Sequence, residues 1–317
     1  MRLASRLACS LRPCKIVNMV NIAPASRPLA GIGWMIVTGL CFVALTGLVK
    51  HLGDALPAVQ TGFLRYFLGL IFVLPMLRAV LRQRPGLTEL RFFGLRGVVH
   101  SVGVILWFYA MTQITIAEVT AMNYLTPVYV TLGAALFLGE RLAIRRLLAV
   151  GFAFLGVLII LRPGLREISP GHLAMIGTAI FVAASYLMAK RASAQSDATM
   201  VVALLSITVT ICLAPLAIAV WVPPTPMQLF WLFWVAAFGT AGHFAMTLSF
   251  KAAPVAVTQP ATFLQLLWAV ALGALVFGEH IDAYVLLGGS VIMASVAFIT
   301  WREAVLRRQN ARPPLPG

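Results

Sequence analysis

Apolar residues along this chain come in blocks of about twenty, separated by short polar breaks. They follow neither the strict alternation of a half-buried strand nor the one-sided stripe of a soluble helix. A helical block of that length crosses the roughly 30 Å of hydrocarbon in a bilayer. Ten such blocks are expected, at 30–49, 58–77, 97–113, 118–138, 147–161, 171–189, 199–219, 229–249, 257–277 and 283–300. Within hydrocarbon each backbone polar group must find its partner inside its own segment, which favours helices. The expected fold class is all-α integral membrane, with ten transmembrane helices.

The blocks also repeat. At a constant offset of 139 residues, Phe42-Val43-Ala44 recurs as Phe181-Val182-Ala183, Ala135-Leu136 as Ala274-Leu275, and Gly139-Glu140 as Gly278-Glu279. Leu147-Leu148 returns as Leu286-Leu287, and Val157 and Ile160 return as Val296 and Ile299. This predicts two five-helix repeats, over 30–162 and 171–302, flanked by a basic cytoplasmic tail at 1–29 and a second tail at 303–317. Five is odd, so the second copy is expected upside down relative to the first, with a binding site at the seam.

Charge fixes the expected orientation. With the N-terminus in the cytoplasm, twenty Lys and Arg residues fall inside and only Lys50, Arg162 and Arg166 outside, while Arg65 lies within a span. That is the positive-inside bias, with both termini cytoplasmic in a bacterial inner membrane. Corresponding loops exchange charge as inversion requires: the basic segment 78–96 is matched by the uncharged Pro223-Pro224-Thr225-Pro226. The net charge of +15 is thereby read as a topology signal, so nucleic acid is not an expected partner.

Composition agrees. Of 317 residues, 61% are hydrophobic and 10% charged, with mean hydropathy +0.96, which leaves too little polar surface for a soluble domain. The four cysteines show no metal-ligand spacing, and neither metal nor cofactor is expected. Residues 1–28 lack the apolar core of a signal peptide, and Met19 is an alternative start close to the first span. No G-x-x-x-x-G-K-[ST] phosphate loop is present, so a gradient is the expected source of any driving force.

Polar groups within hydrocarbon call for a reason. Arg65 either meets an anionic part of a substrate or is held by backbone carbonyls. His243 sits deep in the eighth span. Glu118 opens the fourth span, either as a proton-coupling group or as a carboxylate favoured at a helix N-terminus. Glu140 and Glu279 each follow a glycine and read as a turn plus an acidic helix start. The fourth span gathers Asn123, Tyr124, Thr126 and Tyr129 around Pro127; the ninth offers Gln259, Thr262, Gln265 and Trp268. Asn123 and Thr126 share a helix face, as do Thr262 and Gln265, so two matching polar faces are expected to converge on one cavity. Trp107, Tyr109 and Tyr186 would add flat walls suited to a planar or amphipathic solute, unless they belong to interfacial belts.

The segment from Ala117 to Glu140, its second copy from Gln259-Pro260 through Gly278-Glu279, and Arg65 within Phe63-Leu64-Arg65-Tyr66 resemble the drug/metabolite transporter superfamily, specifically its EamA-type ten-helix members. The resemblance spans nearly all of 30–302. It implies a transporter of a small organic metabolite working by alternating access. Gly31-Ile32-Gly33-Trp34 and Thr262-Phe263-Leu264-Gln265-Leu266-Leu267-Trp268 look most like uptake members for riboflavin or S-adenosylmethionine. Riboflavin is the first expectation, because an aromatic, weakly charged pocket suits a neutral flavin ring. An exporter of amino acids or other metabolites is the rival, and a membrane-embedded enzyme is disfavoured because no nucleophile, base or metal cluster appears. The expected partners are a small-molecule substrate and the lipid bilayer, with a homodimer left open.

Overall fold

The computed structural model describes residues 27–83, 85–138, 144–165, 167–192, 198–253 and 258–310. Its elements among these residues are helices: α1 (Pro28–Leu52), α2 (Ala58–Gln83), α3 (Leu87–Gln113), α4 (Ile116–Asn123), α5 (Leu125–Leu138), α6 (Ile144–Leu161), α7 (Pro170–Ala192), α8 (Ala198–Ala219), α9 (Pro226–Ala252), α10 (Phe263–Phe277) and α11 (Ala283–Asn310). Seven are long and apolar enough to cross a membrane, namely α1, α2, α3, α7, α8, α9 and α11; Leu147–Leu161 and Phe263–Phe277 are shorter apolar helices. Large apolar side chains such as Ile71, Leu74, Leu158, Ile218 and Leu275 are more than half exposed. Such a surface is stable against lipid and would be a liability against water.

Two of the expected spans differ from continuous helices. The fourth breaks at Tyr124, a turn residue between α4 and α5. Pro127 has no N–H, so the carbonyl of Asn123 loses its usual helical donor, and the chain re-forms around that gap. The ninth span begins with a 3-10 turn, Gln259–Thr262, which contains Pro260, before α10 starts. The final helix runs to Asn310, beyond the expected limit at 300.

Helices pair along their length as α1 with α9, α3 with α7, α2 with α8 and α6 with α11. Small residues permit the close approach, as expected where lipid removes the usual hydrophobic drive between helices. At Gly156 an added Cβ would stand 2.7 Å from the Gly288 carbonyl oxygen and 2.7 Å from Ile292. At Gly103 it would stand 2.9 Å from Val182. One buried apolar core, including Leu45, Phe108, Met122, Leu213 and Ile292, runs through these pairs.

Polar ties fasten the two ends of the bundle. At one end, here the Lys50 end, Lys50 pairs with Glu279 and donates to the Ile114 carbonyl at 3.2 Å. Arg162 pairs with Asp282. Gln60 clamps Val222, donating to its carbonyl at 2.6 Å and accepting from its N–H at 2.9 Å. Gly278 takes a positive φ of 63°, which glycine tolerates, and turns Glu279 back toward α4. Glu279 there accepts from the Ile116 N–H at 3.1 Å. The Gly-Glu turn is thus as read from the sequence, but its carboxylate serves the start of α4 instead of the start of the next helix. Glu140, the other copy, lies outside the described residues. Toward the opposite end, Arg96 donates to the carbonyls of Ser185 and Val201, holding α3 against α7 and α8.

Candidate functional site

Between these two ends lies a cavity of about 80 Å³, room for a handful of waters. Six helices build it. Phe42 comes from α1; Arg65 and Tyr66 from α2; His100, Gly103, Val104, Trp107 and Phe108 from α3. Asn123 ends α4, while Thr178, Val182 and Tyr186 come from α7 and His243 from α9. Contributions from both halves of the chain meet in one space.

Arg65 dominates its electrostatics. The residue is 6% exposed, and its guanidinium carbon lies 3.9 Å from the centre of the Tyr66 ring, a cation–π contact. No hydrogen bond or carboxylate engages it among the described residues. Gly239 on α9 makes its room: a Cβ there would fall 2.6 Å from Nη2. Beside it the Tyr66 hydroxyl and His100 Nε2 are hydrogen bonded at 3.1 Å. His243 packs edge-on against Phe42, with ring centres 5.2 Å apart.

Two further groups point to a ligand. The Trp107 indole N–H and His100 Nδ1 are buried without a hydrogen-bond partner among the described residues. Leaving such a group unsatisfied costs about 1–3 kcal/mol, and an unpaired charge in hydrocarbon costs several kcal/mol. A planar solute carrying carbonyl or ring-nitrogen acceptors would relieve these costs together.

Of the residues expected from the sequence, Arg65, Trp107, Asn123, Tyr186 and His243 are brought together here. Others lie elsewhere. Tyr124 is buried beside α10 and donates from its hydroxyl to the Thr262 carbonyl at 2.8 Å. The Thr262 hydroxyl meets the Met293 sulfur at 3.5 Å. Gln265 lies against Gly39 of α1. Thr126 is buried outside the cavity lining, Tyr129 packs edge-on against Phe154, and Tyr109 and Trp268 are more than a third exposed and outside the cavity lining. The Gln259 side chain lies outside the described residues. Tyr66, Phe42 and Thr178 join the cavity unannounced by the sequence. His100 was noticeable only as a histidine within a span.

Glu118 opens α4 in a capping box. Its carboxylate accepts from the Thr115 N–H at 3.0 Å, and the Thr115 hydroxyl oxygen accepts from the Glu118 N–H at 3.2 Å. Its other oxygen, Oε1, lies 3.2 Å from His172 Nε2 on α7. The helix-start role is realised, and it comes with a histidine that nothing in the sequence linked to it.

Comparison with known proteins converges on one family. The model of the EamA-like transporter family matches residues 29–162 and again 169–301. A riboflavin transporter of Vibrio cholerae is 30% identical over 292 residues, covering 90% of this chain and 97% of the relative. A riboflavin transporter of Rhizobium johnstonii is 30% identical over 307 residues, covering 94% of this chain and all of the relative. An S-adenosylmethionine uptake transporter of Rickettsia conorii is 25% identical over 277 residues, covering 87% of this chain and 94% of the relative. A solved structure at 18% identity shares the fold with a TM-score of 0.57, over 87% of this chain and 98% of the other. Two family matches that together span the helical bundle, on a membrane protein whose halves both line a central cavity, establish that the chain belongs to the EamA-like transporter family.

Proposed function

We propose that the chain is a secondary transporter of the bacterial inner membrane that takes up riboflavin through the central cavity by alternating access. The observation that carries this reading is the cavity itself: a buried Arg65 with aromatic walls, the Trp107 N–H and His100 Nδ1 awaiting partners. A flavin is neutral, planar and rich in carbonyl and ring-nitrogen acceptors, which matches donors set among flat apolar faces. The Vibrio and Rhizobium relatives support the same substrate.

Ten spans in two inverted repeats complete the proposal, with α4 and α5 together forming the fourth. Exchanging the halves turns the α1–α9 pair into α3–α7 and maps α2–α8 and α6–α11 onto themselves, which supports a two-fold relation. Drug-sized ligands occupy about 300–1,000 Å³, so the cavity must widen to admit a flavin, and separation of the halves is the simplest way. The charge pairs at the Lys50 end support a conformer closed at that end.

The Rickettsia relative supports a second substrate, S-adenosylmethionine. Its carboxylate suits Arg65 and its sulfonium suits the aromatic faces, but its net positive charge does not suit a lone buried guanidinium. Labelled riboflavin in proteoliposomes separates these readings. Accumulation that excess unlabelled riboflavin abolishes and excess S-adenosylmethionine leaves intact is expected. The reverse competition would reassign the substrate, and depletion from preloaded cells would indicate export.

A further inference from the structure

The central cavity carries a cation and no matching anion. Arginine is the side chain that stays charged in proteins, and Arg65 sets one against the cavity at 6% exposure. No acidic residue stands among the described lining residues, and His100 and His243 can only add positive charge. Arg96, one turn before His100 on α3 and 4% exposed, rests on the carbonyls of Ser185 and Val201, so it brings a second cation and no carboxylate. Elsewhere the protein pairs its cations with acids, Lys50 with Glu279 and Arg162 with Asp282. Among the described residues Arg65 has only the face of Tyr66. A ring face offsets less of a cation's lost hydration than a carboxylate does.

The rest of the lining favours the same sign of ligand. The Trp107 indole N–H can only donate, and it is buried without a partner among the described residues. The Asn123 carboxamide and the Tyr186 hydroxyl make no hydrogen bond among the described residues, so both have donors to give.

We propose that the substrate-free cavity binds one small inorganic anion, of which chloride is the most abundant, against the Arg65 guanidinium and the Trp107 N–H. Space sets the size of the ligand. A chloride ion is little larger than a water, and about 80 Å³ takes it with part of its hydration. Gluconate, an organic anion of the same charge, is too large for this conformer. The guanidinium spreads five N–H donors over a plane, so an anion occupies some and leaves others for a substrate carbonyl. A neutral solute brings no charge of its own. The anion therefore stays when riboflavin binds, and the loaded cavity carries no uncompensated guanidinium through the membrane.

The proposal rests on the transporter reading, and on riboflavin for only one arm of its test. In the substrate-free arm, the chloride NMR line width is followed as chloride is added to purified protein. Surface cations of a chain with net charge +15 also broaden the line, so the readout is the saturable part that differs between wild type and Arg65→Gln. Wild type is expected to show that part and Arg65→Gln to lose it. Trp107→Phe keeps the charge and a ring, and should weaken chloride by about tenfold, as loss of one hydrogen bond to an ion does. Equal saturable broadening in wild type and Arg65→Gln overturns the proposal. Unchanged chloride affinity in Trp107→Phe overturns it as well, which keeps the test intact should Arg65→Gln not fold. In the transport arm, riboflavin counterflow in proteoliposomes is measured with chloride or gluconate on both sides at equal ionic strength. Counterflow should fall at least about tenfold in gluconate, because the buried charge is then uncompensated. Counterflow in gluconate within about twofold of that in chloride, or above it, overturns the proposal. Absence of any riboflavin movement by wild type in either salt removes the riboflavin reading alone, and the line widths then decide the anion site.

Discussion

At the scale of single residues, the cavity is organised by what Arg65 lacks. A guanidinium in the interior of a membrane protein usually rests on carbonyls or carboxylates, as Arg96 does on Ser185 and Val201. Arg65 instead rests on the Tyr66 ring and faces the cavity. A charge-assisted hydrogen bond to substrate contributes about 1.5–3 kcal/mol. Arg65→Gln is therefore expected to lower kcat/KM for riboflavin by roughly 10- to 150-fold while the protein inserts and folds normally. Wild-type uptake by that variant would remove Arg65 from the site. Gly239→Ala gives a finer test, because the new methyl meets chiefly the Arg65 guanidinium, 2.6 Å from Nη2, with the terminal methyl of Leu45 next at 3.0 Å. Transport should weaken with little change in thermal stability, since the guanidinium can swing into the cavity.

At the scale of helices, packing depends on a few close approaches. Gly156 faces Gly288 and Ile292 across the α6–α11 contact, whereas nothing lies within 4 Å of a Cβ added at Gly151 on the same helix. Gly156→Leu should lower the Tm of the purified protein, overpacking costing about 1–3 kcal/mol, and Gly151→Leu should leave it nearly unchanged. Equal Tm for the two variants would contradict the helix pairing. The seven long apolar helices were legible because a twenty-residue apolar block has few alternatives to a membrane helix. The break in the fourth span was foreshadowed by Pro127, although its position at Tyr124 was not.

The site was legible only in part, for a physical reason. Repeat symmetry directed attention to the polar faces of the fourth and ninth spans, and those spans do meet, through the Tyr124 hydroxyl and the Thr262 carbonyl. The cavity lies where α2, α3, α7 and α9 converge, and among the described residues only the fourth of those two spans lines it, at Asn123. Tyr66 and His100 are 34 residues apart and bond across helices, a pairing no local pattern encodes. The same holds for Glu118 and His172, 54 residues apart. Of the cavity residues, Arg65 and His243 were legible as polar groups within spans, Asn123 from the polar face of the fourth span, and Trp107 and Tyr186 as aromatic walls.

At the scale of the whole molecule, the account requires two halves that move against each other around a shared space. Inverted repeats predict that the segments 78–96 and 222–228, which hold the α2–α3 and α8–α9 connections, face opposite sides of the bilayer. Single cysteines introduced there should label from opposite sides with an impermeant reagent, and labelling from one side would contradict the inversion. The most direct test of transport through the cavity is to fill it. Val182 lines the space and sits beside Gly103, so Val182→Trp places an indole where the substrate must pass. Riboflavin counterflow in proteoliposomes is the measurement. The account predicts that folded, correctly inserted Val182→Trp protein shows no counterflow above empty liposomes while wild type does. Counterflow at the wild-type rate through the filled cavity would contradict it.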